Sequence, residues 1–383
     1  MIKANVFNPG DRTPIASEDM VESITFRKHK FTTRPKPTDP SKITIYSCVN
    51  EFGCETVGIM YCLPRMMSRE PGQYTIAIGW YGREYFYRHL VDEFWEIDEE
   101  FQWLREYCRA FHHESKNLSR LETSLSKEGK LVSAMNLGQL ALGNCCLACG
   151  AFWGEISQSP TCNKCKSKNI EPSLFGNVSY WRKKVVRIPT PNADVLAKAD
   201  SYLKPNSVGV FARGRKCYGR NLQPEFYVKL IELLEGMGYN PIWLGEKAST
   251  QACPVSHIVD FSRMPESRDL ELTLAIISRV KFTVQYWTAS TRLASMMGTP
   301  YLLFESPDQI WGQGQEGYRR KLCDFGPSKL VISHYKNTYE DNDAGLALTR
   351  QAIEEIQAGN FKELSGLVDK DVAMRMRANW RGK

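Results

Sequence analysis

The second half of the chain alternates short apolar runs with helical segments. The runs of strand length are Ser207–Ala212, Pro241–Leu244, Ile258–Phe261, Phe282–Gln285 and Tyr301–Phe304. Between them, apolar residues recur at helical spacing, for example at Leu270, Leu274 and Ile277. Strands that alternate with helices form parallel sheets, so this half predicts a Rossmann-like sheet with helices on both faces.

The first half contains a looser version of the same pattern. Ile43–Cys48 and Tyr74–Ile78 are short β-rich runs, and the segment Arg83–Val91 that follows has helical character. The stretch Glu93–Leu140 is strongly charged and is predicted to be mostly helical. A chain of 383 residues is long for one ordinary core. The fold class predicted is therefore α/β with two Rossmann-like domains.

Composition marks the domain limits. Residues 1–41 contain five prolines and no sustained period, which predicts an extended arm. A Pro-Thr-Pro linker near Pro191 ends a first domain of residues 42–191, and the second domain takes residues 192–345. Residues 346–383 are predicted to be helical and to fold back across the first domain.

Five of the twelve cysteines crowd between Cys145 and Cys165. Two pairs with CxxC spacing, separated by twelve residues, fit the tetrahedral thiolate site that zinc prefers. The predicted ligands are Cys146, Cys149, Cys162 and Cys165. Cys145 would give a CxxxC pair and is left out. Four thiolates leave no open position for water, so a zinc ribbon over 143–170 is predicted to be structural.

Charge and hydropathy limit the environment and the partners. The net charge of +7 permits an anionic partner such as a nucleotide, an acidic glycan or DNA, without demanding one. No apolar segment reaches the length of a membrane span, and residues 1–17 lack the features of a secretory signal. A cytoplasmic location is therefore expected.

The loops that follow the predicted strands of the second half are the places to look for a ligand. The loop after Ala212 carries four cations in eight residues, with two glycines. The cations are Arg213, Arg215, Lys216 and Arg220. Guanidinium groups so placed can clamp a diphosphate. A solvated basic turn is the alternative.

A second candidate loop follows Gln285. Ser290 and Thr291 would lie at the start of a helix, where hydroxyls and free N–H groups bind phosphate, and Arg292 would add charge. An ordinary Ser/Thr N-cap is the alternative.

The run from Leu272 through Pro307 resembles the donor-site segment of GT-B glycosyltransferases, especially the heptosyltransferase-like (family 9) group. The shared pattern is a strand, a small-residue turn, an alanine-rich helix, then Gly-x-Pro and a strand. The run from Val208 to Glu246, including Gly245, is also similar to that family. Where the family carries Asp-Ser/Thr-Gly and a histidine, this chain has Trp287–Ala289 and Arg292.

The resemblance implies sugar transfer from a nucleotide-sugar donor, with inversion and without a catalytic metal. It places the donor in the carboxyl domain, against the basic loop, Gly245–Glu246 and the Ser290 helix, and the acceptor in the amino domain. A carboxylate of the amino domain would deprotonate the acceptor hydroxyl. Glu55, which stands near the position of the family's Gly-Asp, is the first candidate, and Asp92 is the second.

The acceptor is left open between a glycan and a hydroxymethylated DNA base. The zinc ribbon, the basic excess and the stretch Trp181–Lys184 suit DNA. A different class also remains possible, namely a non-catalytic zinc-ribbon adaptor on a degenerate GT-B fold. The missing Asp and His favour that alternative.

Overall fold

The computed structural model describes twelve segments of the chain and three single residues. They are residues 24–49, 71–101, 125–132, 143–146, 152–154, 170–173, 188–214, 221–247, 249–286, 289–305, 328–332 and 342–360, with Leu63, Met67 and Lys166. The chain divides into two compact units, Met1–Val186 and Arg187–Lys383, each taken here by itself. Within the described segments, no helix is long and apolar enough to span a membrane.

The second unit is built on a six-stranded sheet in which every pair of neighbours is parallel. Its strands are β9 (Ser207–Phe211), β10 (Asn240–Leu244), β11 (Val259–Asp260), β12 (Thr283–Tyr286), β13 (Tyr301–Glu305) and β14 (Ser328–Ile332). They are arranged β11-β10-β9-β12-β13-β14. This is the strand order of a Rossmann fold, so the predicted architecture of the second half is confirmed.

Helices cover both faces of this sheet. They are α2 (Ala193–Asp200), α3 (Pro224–Gly236), α4 (Leu270–Arg279), α5 (Ala289–Met297) and α6 (Asn342–Gln357). One core joins alternate residues of the strands, such as Val284 and Tyr286, to Phe226 of α3 and Ile353 of α6. The helices α2, α4 and α5 contribute no residue to that core.

Helix α6 packs within the second unit. Its buried residues Ala352, Ile353 and Ile356 lie in the core of that unit, beside β13 and β14. The return of residues 346–383 to the first domain stays a prediction. Residues 361–383 lie outside the described part of the chain.

The first unit contains a five-stranded sheet. Its strands are β1 (Phe26–Lys30), β2 (Ile43–Ser47), β3 (Tyr74–Gly79), β4 (Glu93–Ile97) and β5 (Lys130–Val132). The order is β1-β4-β3-β2-β5, and only β1 is antiparallel to its neighbour. The short helix α1 (Glu84–Tyr87) covers only the beginning of the helix predicted over Arg83–Val91.

Two predictions for this half are wrong in part. Phe26–Lys30 lies in the segment interpreted as an extended arm, yet it pairs with β4 along its whole length. Glu93–Ile97 and Lys130–Val132 fall in the stretch interpreted as mostly helical, yet both are strands.

Buried hydrogen bonds explain why the charged sequence of β4 forms a strand. Tyr74 Oη donates to Glu93 at 2.7 Å, and Trp95 Nε1 donates to the same carboxylate at 2.9 Å. The burial of Tyr74 and its bond to Glu93 raise the pKa of that phenol above its ordinary value. A buried carboxylate with two donors is satisfied, so Glu93 fits inside the sheet.

A third, small antiparallel sheet consists of β6 (Gly143–Cys146), β7 (Phe152–Gly154) and β8 (Ile170–Ser173), in the order β7-β6-β8. Cys146 ends β6 and pairs with Ile170. Of the four predicted zinc ligands, only the backbone of Cys146 is among the described residues. Those residues contain no cluster of three or more side chains suited to a metal, so the zinc site stays a prediction.

Candidate functional site

The second sheet reverses its strand order between β9 and β12. These two strands lie side by side, with Gln285 of β12 opposite Phe211 of β9. The chain leaves β9 toward β10 on one side and leaves β12 toward β13 on the other. In open parallel sheets, ligands bind beyond the carboxyl ends of the strands at such a switch point. The candidate site is therefore the edge formed by the segments that follow Phe211 and Tyr286.

Arg213 is the cation held closest to this edge on the β9 side. It lies two residues beyond β9 and is only 6% exposed. Its backbone pairs with Thr250 in an antiparallel bridge, and its Nη1 donates to Asn221 Oδ1 at 2.7 Å. Arg213 is thus fixed in place by the chain, at the carboxyl edge of β9.

The segment after β10 is bound tightly to the segment after β9. Gln251 Nε2 donates to the carbonyl oxygens of Arg213 and Leu222, both at 2.8 Å. Arg263 donates to the carbonyls of Lys247 at 3.0 Å and Thr250 at 2.9 Å. We call residues 245–247 and 249–251 the clasp. The clasp fixes the backbone around Arg213 before any ligand arrives.

Two glycines allow the clasp to lie so close. Gly245 has φ +128°, and a Cβ there would meet the Thr250 side chain, with its Oγ1 at 2.1 Å. A Cβ on Gly214 would be 2.7 Å from the backbone nitrogen of Gln251. Gly245 and Glu246, both predicted to bind the donor, therefore begin the clasp, and the Glu246 carbonyl accepts from the Ser249 N–H at 2.9 Å.

The β12 side of the edge is the start of α5. This helix begins at Ala289, three residues after the last residue of β12. Ser290 and Thr291 are buried in its first turn, and Arg292 follows half-buried. The free N–H groups of a first helical turn and the helix dipole favour an anion. The structure thus brings Arg213 and the Ser290 helix to adjacent strands at one edge, as the sequence predicts.

The other members of the basic loop cannot be placed. Arg215, Lys216 and Arg220 lie outside the described residues. Their role in holding a diphosphate remains a prediction from the sequence.

Gln285 is a residue of this edge that the sequence analysis did not select. It is 1% exposed, and neither amide atom has a hydrogen-bond partner within the described part of the chain. A glutamine at the end of a run of β-forming residues gives no signal by itself. Only the sheet order, which places it at the switch point, distinguishes it.

In the first unit, Asp92 lies away from the edge where ligands bind. It directly precedes β4 and accepts hydrogen bonds from the N–H and the hydroxyl of Thr75, at 2.8 and 2.9 Å. Thr75 is near the start of β3, so both residues are at the amino edge of the parallel strands. This carboxylate joins two strands, and its position does not support a role as catalytic base.

Glu96 is a buried carboxylate near the opposite, carboxyl edge of the first sheet. It pairs with Gly79, the last residue of β3. One oxygen accepts from the Gly82 N–H at 2.7 Å, and the other is 3.0 Å from His29 Nε2. The second ring nitrogen of His29 is 3.3 Å from Glu84. Glu96 was missed because its segment was interpreted as helical, and Glu55 lies outside the described residues.

In comparisons with known proteins, the chain matches solved structures but no protein family model and no curated sequence. Among solved structures, the chain is similar to the glycosyl transferase family 9 protein from Veillonella parvula (TM-score 0.46, 11% identity, 88% of this chain and 96% of that one). It is also similar to E. coli heptosyltransferase WaaC with ADP (TM-score 0.45, 11% identity, 82% and 99%).

A third similar structure is the wall teichoic acid polymerase TagF (TM-score 0.33, 11% identity, 90% of both chains). The first two neighbours belong to the group that the sequence resemblance names.

Proposed function

We propose that this chain is a glycosyltransferase that holds a nucleotide-sugar donor at the switch point of its second sheet. The observation that carries the proposal is the placement of Arg213 and the first turn of α5 beyond two adjacent parallel strands, β9 and β12. A buried guanidinium and the first turn of a helix, where the dipole is positive, together suit a diphosphate better than a neutral ligand.

The chemistry follows from where charge develops. As the acceptor hydroxyl attacks the anomeric carbon, the bond from that carbon to the diphosphate breaks and negative charge grows on the leaving oxygen. Arg213 and the N–H groups of α5 would stabilise that charge, and groups fixed in advance need no rearrangement as the charge develops. The clasp supports this role because it holds the backbone of Arg213 through Gln251.

The acceptor hydroxyl needs a base. Glu55 is retained as the proposed base because it follows the first predicted strand of the amino unit, at the expected start of a helix. A glycan and a hydroxymethylated DNA base remain the two proposed acceptors. Incubating the purified chain and a labelled donor with each acceptor identifies the one that receives the sugar.

A panel of nucleotide sugars tests the proposal. A ligand that binds only the folded state raises the melting temperature, by about 2.7 kcal/mol of stabilisation at a hundred times its Kd. We expect at least one nucleotide sugar to do so and to be consumed on prolonged incubation. Binding without any consumption, with or without an acceptor, would favour the non-catalytic adaptor.

The small sheet supports a structural zinc near the paired cysteines. Cys146 pairs with Ile170, so the chain shortly after Cys165 is hydrogen-bonded beside the first CxxC pair. Lys166, directly after Cys165, has φ 61°, the left-handed conformation of a tight turn. Both observations fit two knuckles that meet around one metal, which would stabilise the fold without doing chemistry.

Metal analysis checks the zinc prediction. The purified chain should contain about one equivalent of zinc, and the double variant Cys146→Ser/Cys162→Ser should lose it. Replacing Cys253, a free cysteine in the second unit, provides the matched control and should leave the metal content unchanged. If the double variant retains the full equivalent, the assignment is wrong.

A further inference from the structure

The switch point contains a buried amide that no described residue satisfies. Both Oε1 and Nε2 of Gln285 are buried, and neither has a hydrogen-bond partner among the described residues. Thr291 of α5, 2% exposed, likewise has an unpartnered hydroxyl. More than nine in ten buried polar groups in proteins are paired, so two unpaired groups in one region require a reason.

The two groups belong to the same side of the sheet. Val284 and Tyr286, the neighbours of Gln285 in β12, point into the core shared with α3 and α6. Side chains alternate along a strand, so Gln285 points to the opposite face. Helix α5 contributes nothing to the core on the α3 and α6 side, and it packs against β12 and α4. Gln285 is therefore directed toward the helix that carries Thr291.

Gln285 is also close enough to the edge to meet a ligand. It is the second-to-last residue of β12, and a strand rises only about 3.3 Å per residue. The extended side chain of glutamine is longer than that rise. Rotation about its side-chain bonds would therefore let the amide reach the carboxyl edge of the sheet.

The donors and the acceptor of the Gln285 amide limit which ligand group can pair with it. It offers two N–H donors and one carbonyl acceptor. A phosphate would satisfy the donors but would face the carbonyl oxygen with another acceptor. A hydroxyl group both donates and accepts, so it can satisfy both ends of the amide, which lies between Phe211 and Leu303 on the neighbouring strands.

We propose that Gln285 recognises hydroxyl groups of the nucleotide-sugar donor, while Arg213 and the α5 N–H groups hold its diphosphate. The inference rests on the proposed function. It also gives a reason for the unpaired amide, because a group reserved for a ligand reduces the stability of the empty protein. The hydroxyls belong either to the ribose or to the transferred sugar.

The test compares wild type with Gln285→Met, which keeps the length of the side chain and removes its polar atoms. Thr283→Val is the matched control, since Thr283 is a fully buried residue on the same face, also with an unpartnered hydroxyl, but two residues further from the edge. Calorimetric titrations use three ligands: the nucleotide sugar that wild type binds best, its nucleoside diphosphate and inorganic pyrophosphate.

Gln285→Met should bind the nucleotide sugar about tenfold more weakly or worse, and pyrophosphate as wild type does. If the variant also binds the nucleoside diphosphate more weakly, by the same factor, the recognised hydroxyls are those of the ribose. If it binds the nucleoside diphosphate as wild type does, they are those of the transferred sugar. The melting temperature of Gln285→Met should equal or exceed that of wild type. Thr283→Val should bind all three ligands normally.

Three results would overturn the inference. Normal binding of the nucleotide sugar by Gln285→Met would remove the residue from the site. Equal weakening of pyrophosphate would show an effect through the fold or the phosphates. A melting temperature several degrees lower would show that the amide has a partner in the empty protein. If wild type binds no nucleotide sugar, the proposed function itself fails. If wild type binds one and Gln285→Met binds it equally well, only the role of Gln285 fails.

Discussion

At the scale of single residues, Gly245 is a position where the backbone leaves no room for a side chain. Its φ of +128° is strained for any L side chain, and a Cβ would lie against Thr250. Gly245→Ala should therefore lower the free energy of unfolding by about 1 to 3 kcal/mol. Urea denaturation measures the loss.

Gly236 provides the matched control. It ends α3 without the positive φ of Gly245, and an added Cβ would meet nothing within 4 Å. Gly236→Ala should be neutral or stabilising by up to about 1 kcal/mol. Equal effects of the two substitutions would show that the contact at Gly245 is unimportant.

His89 should make the free energy of unfolding depend on pH. Both ring nitrogens are buried without a partner among the described residues, and burial, with a smaller contribution from Arg88, lowers the pKa to about 4. Between pH 4 and the ordinary pKa of about 6.5, the unfolded chain binds a proton that the folded chain does not. The free energy of unfolding should therefore fall as pH falls through this window.

The variant His89→Gln isolates that effect. Melting temperatures measured from pH 4.5 to 7.5 should decrease less steeply toward acid in the variant than in wild type. Parallel curves for wild type and His89→Gln would show that the imidazole titrates normally in the fold.

At the scale of elements, the clasp should behave as one unit with the segment after β9. Gln251→Ala removes both side-chain hydrogen bonds to the carbonyls of Arg213 and Leu222. Leaving these carbonyls unpaired should cost about 1 to 3 kcal/mol and should also weaken nucleotide binding, because Arg213 loses its support. Chemical denaturation and calorimetry measure the two effects.

An exposed glutamine controls for the loss of the side chain itself. Gln351 lies on the exposed surface of α6, and Gln351→Ala should change stability by no more than about 0.5 kcal/mol. A Gln251→Ala protein as stable as this control would mean that the clasp is held mainly by its backbone and by Arg263.

The elements also show what a sequence can predict. Strands β9, β10, β12 and β13 lie close to the predicted apolar runs because they are buried on both faces, and such strands are continuously apolar. Strands β1 and β4 were not found because their polar residues are satisfied by distant partners. Glu93 depends on Tyr74, and His29 lies against Glu96. Pairings of this kind exist only in the folded chain.

The candidate site also contains residues that the sequence could predict and one that it could not. Arg213, Gly245 and the Ser290 helix were predictable, since each follows an apolar run and the carboxyl ends of parallel strands share one edge. Gln285 was not predictable. Its significance depends on the strand order and on the absence of a hydrogen-bond partner in the described structure, neither of which a local pattern contains.

For the molecule as a whole, we propose that the second unit binds a donor diphosphate at its switch point. Arg213→Ala removes the best-placed cation, and Asn221→Ala controls for the loss of its internal hydrogen bond. Arg279→Ala controls for charge, since Arg279 ends α4, just before the start of β12, and pairs with Asp200 away from the site.

Calorimetric titration of these proteins with the nucleoside diphosphate of the preferred donor tests the claim most directly. Arg213→Ala should weaken binding by about 1.5 to 3 kcal/mol, which is roughly tenfold to a hundredfold. Asn221→Ala should lose much less, and Arg279→Ala should bind as wild type does. Unchanged affinity in Arg213→Ala, with the fold intact, would contradict the account.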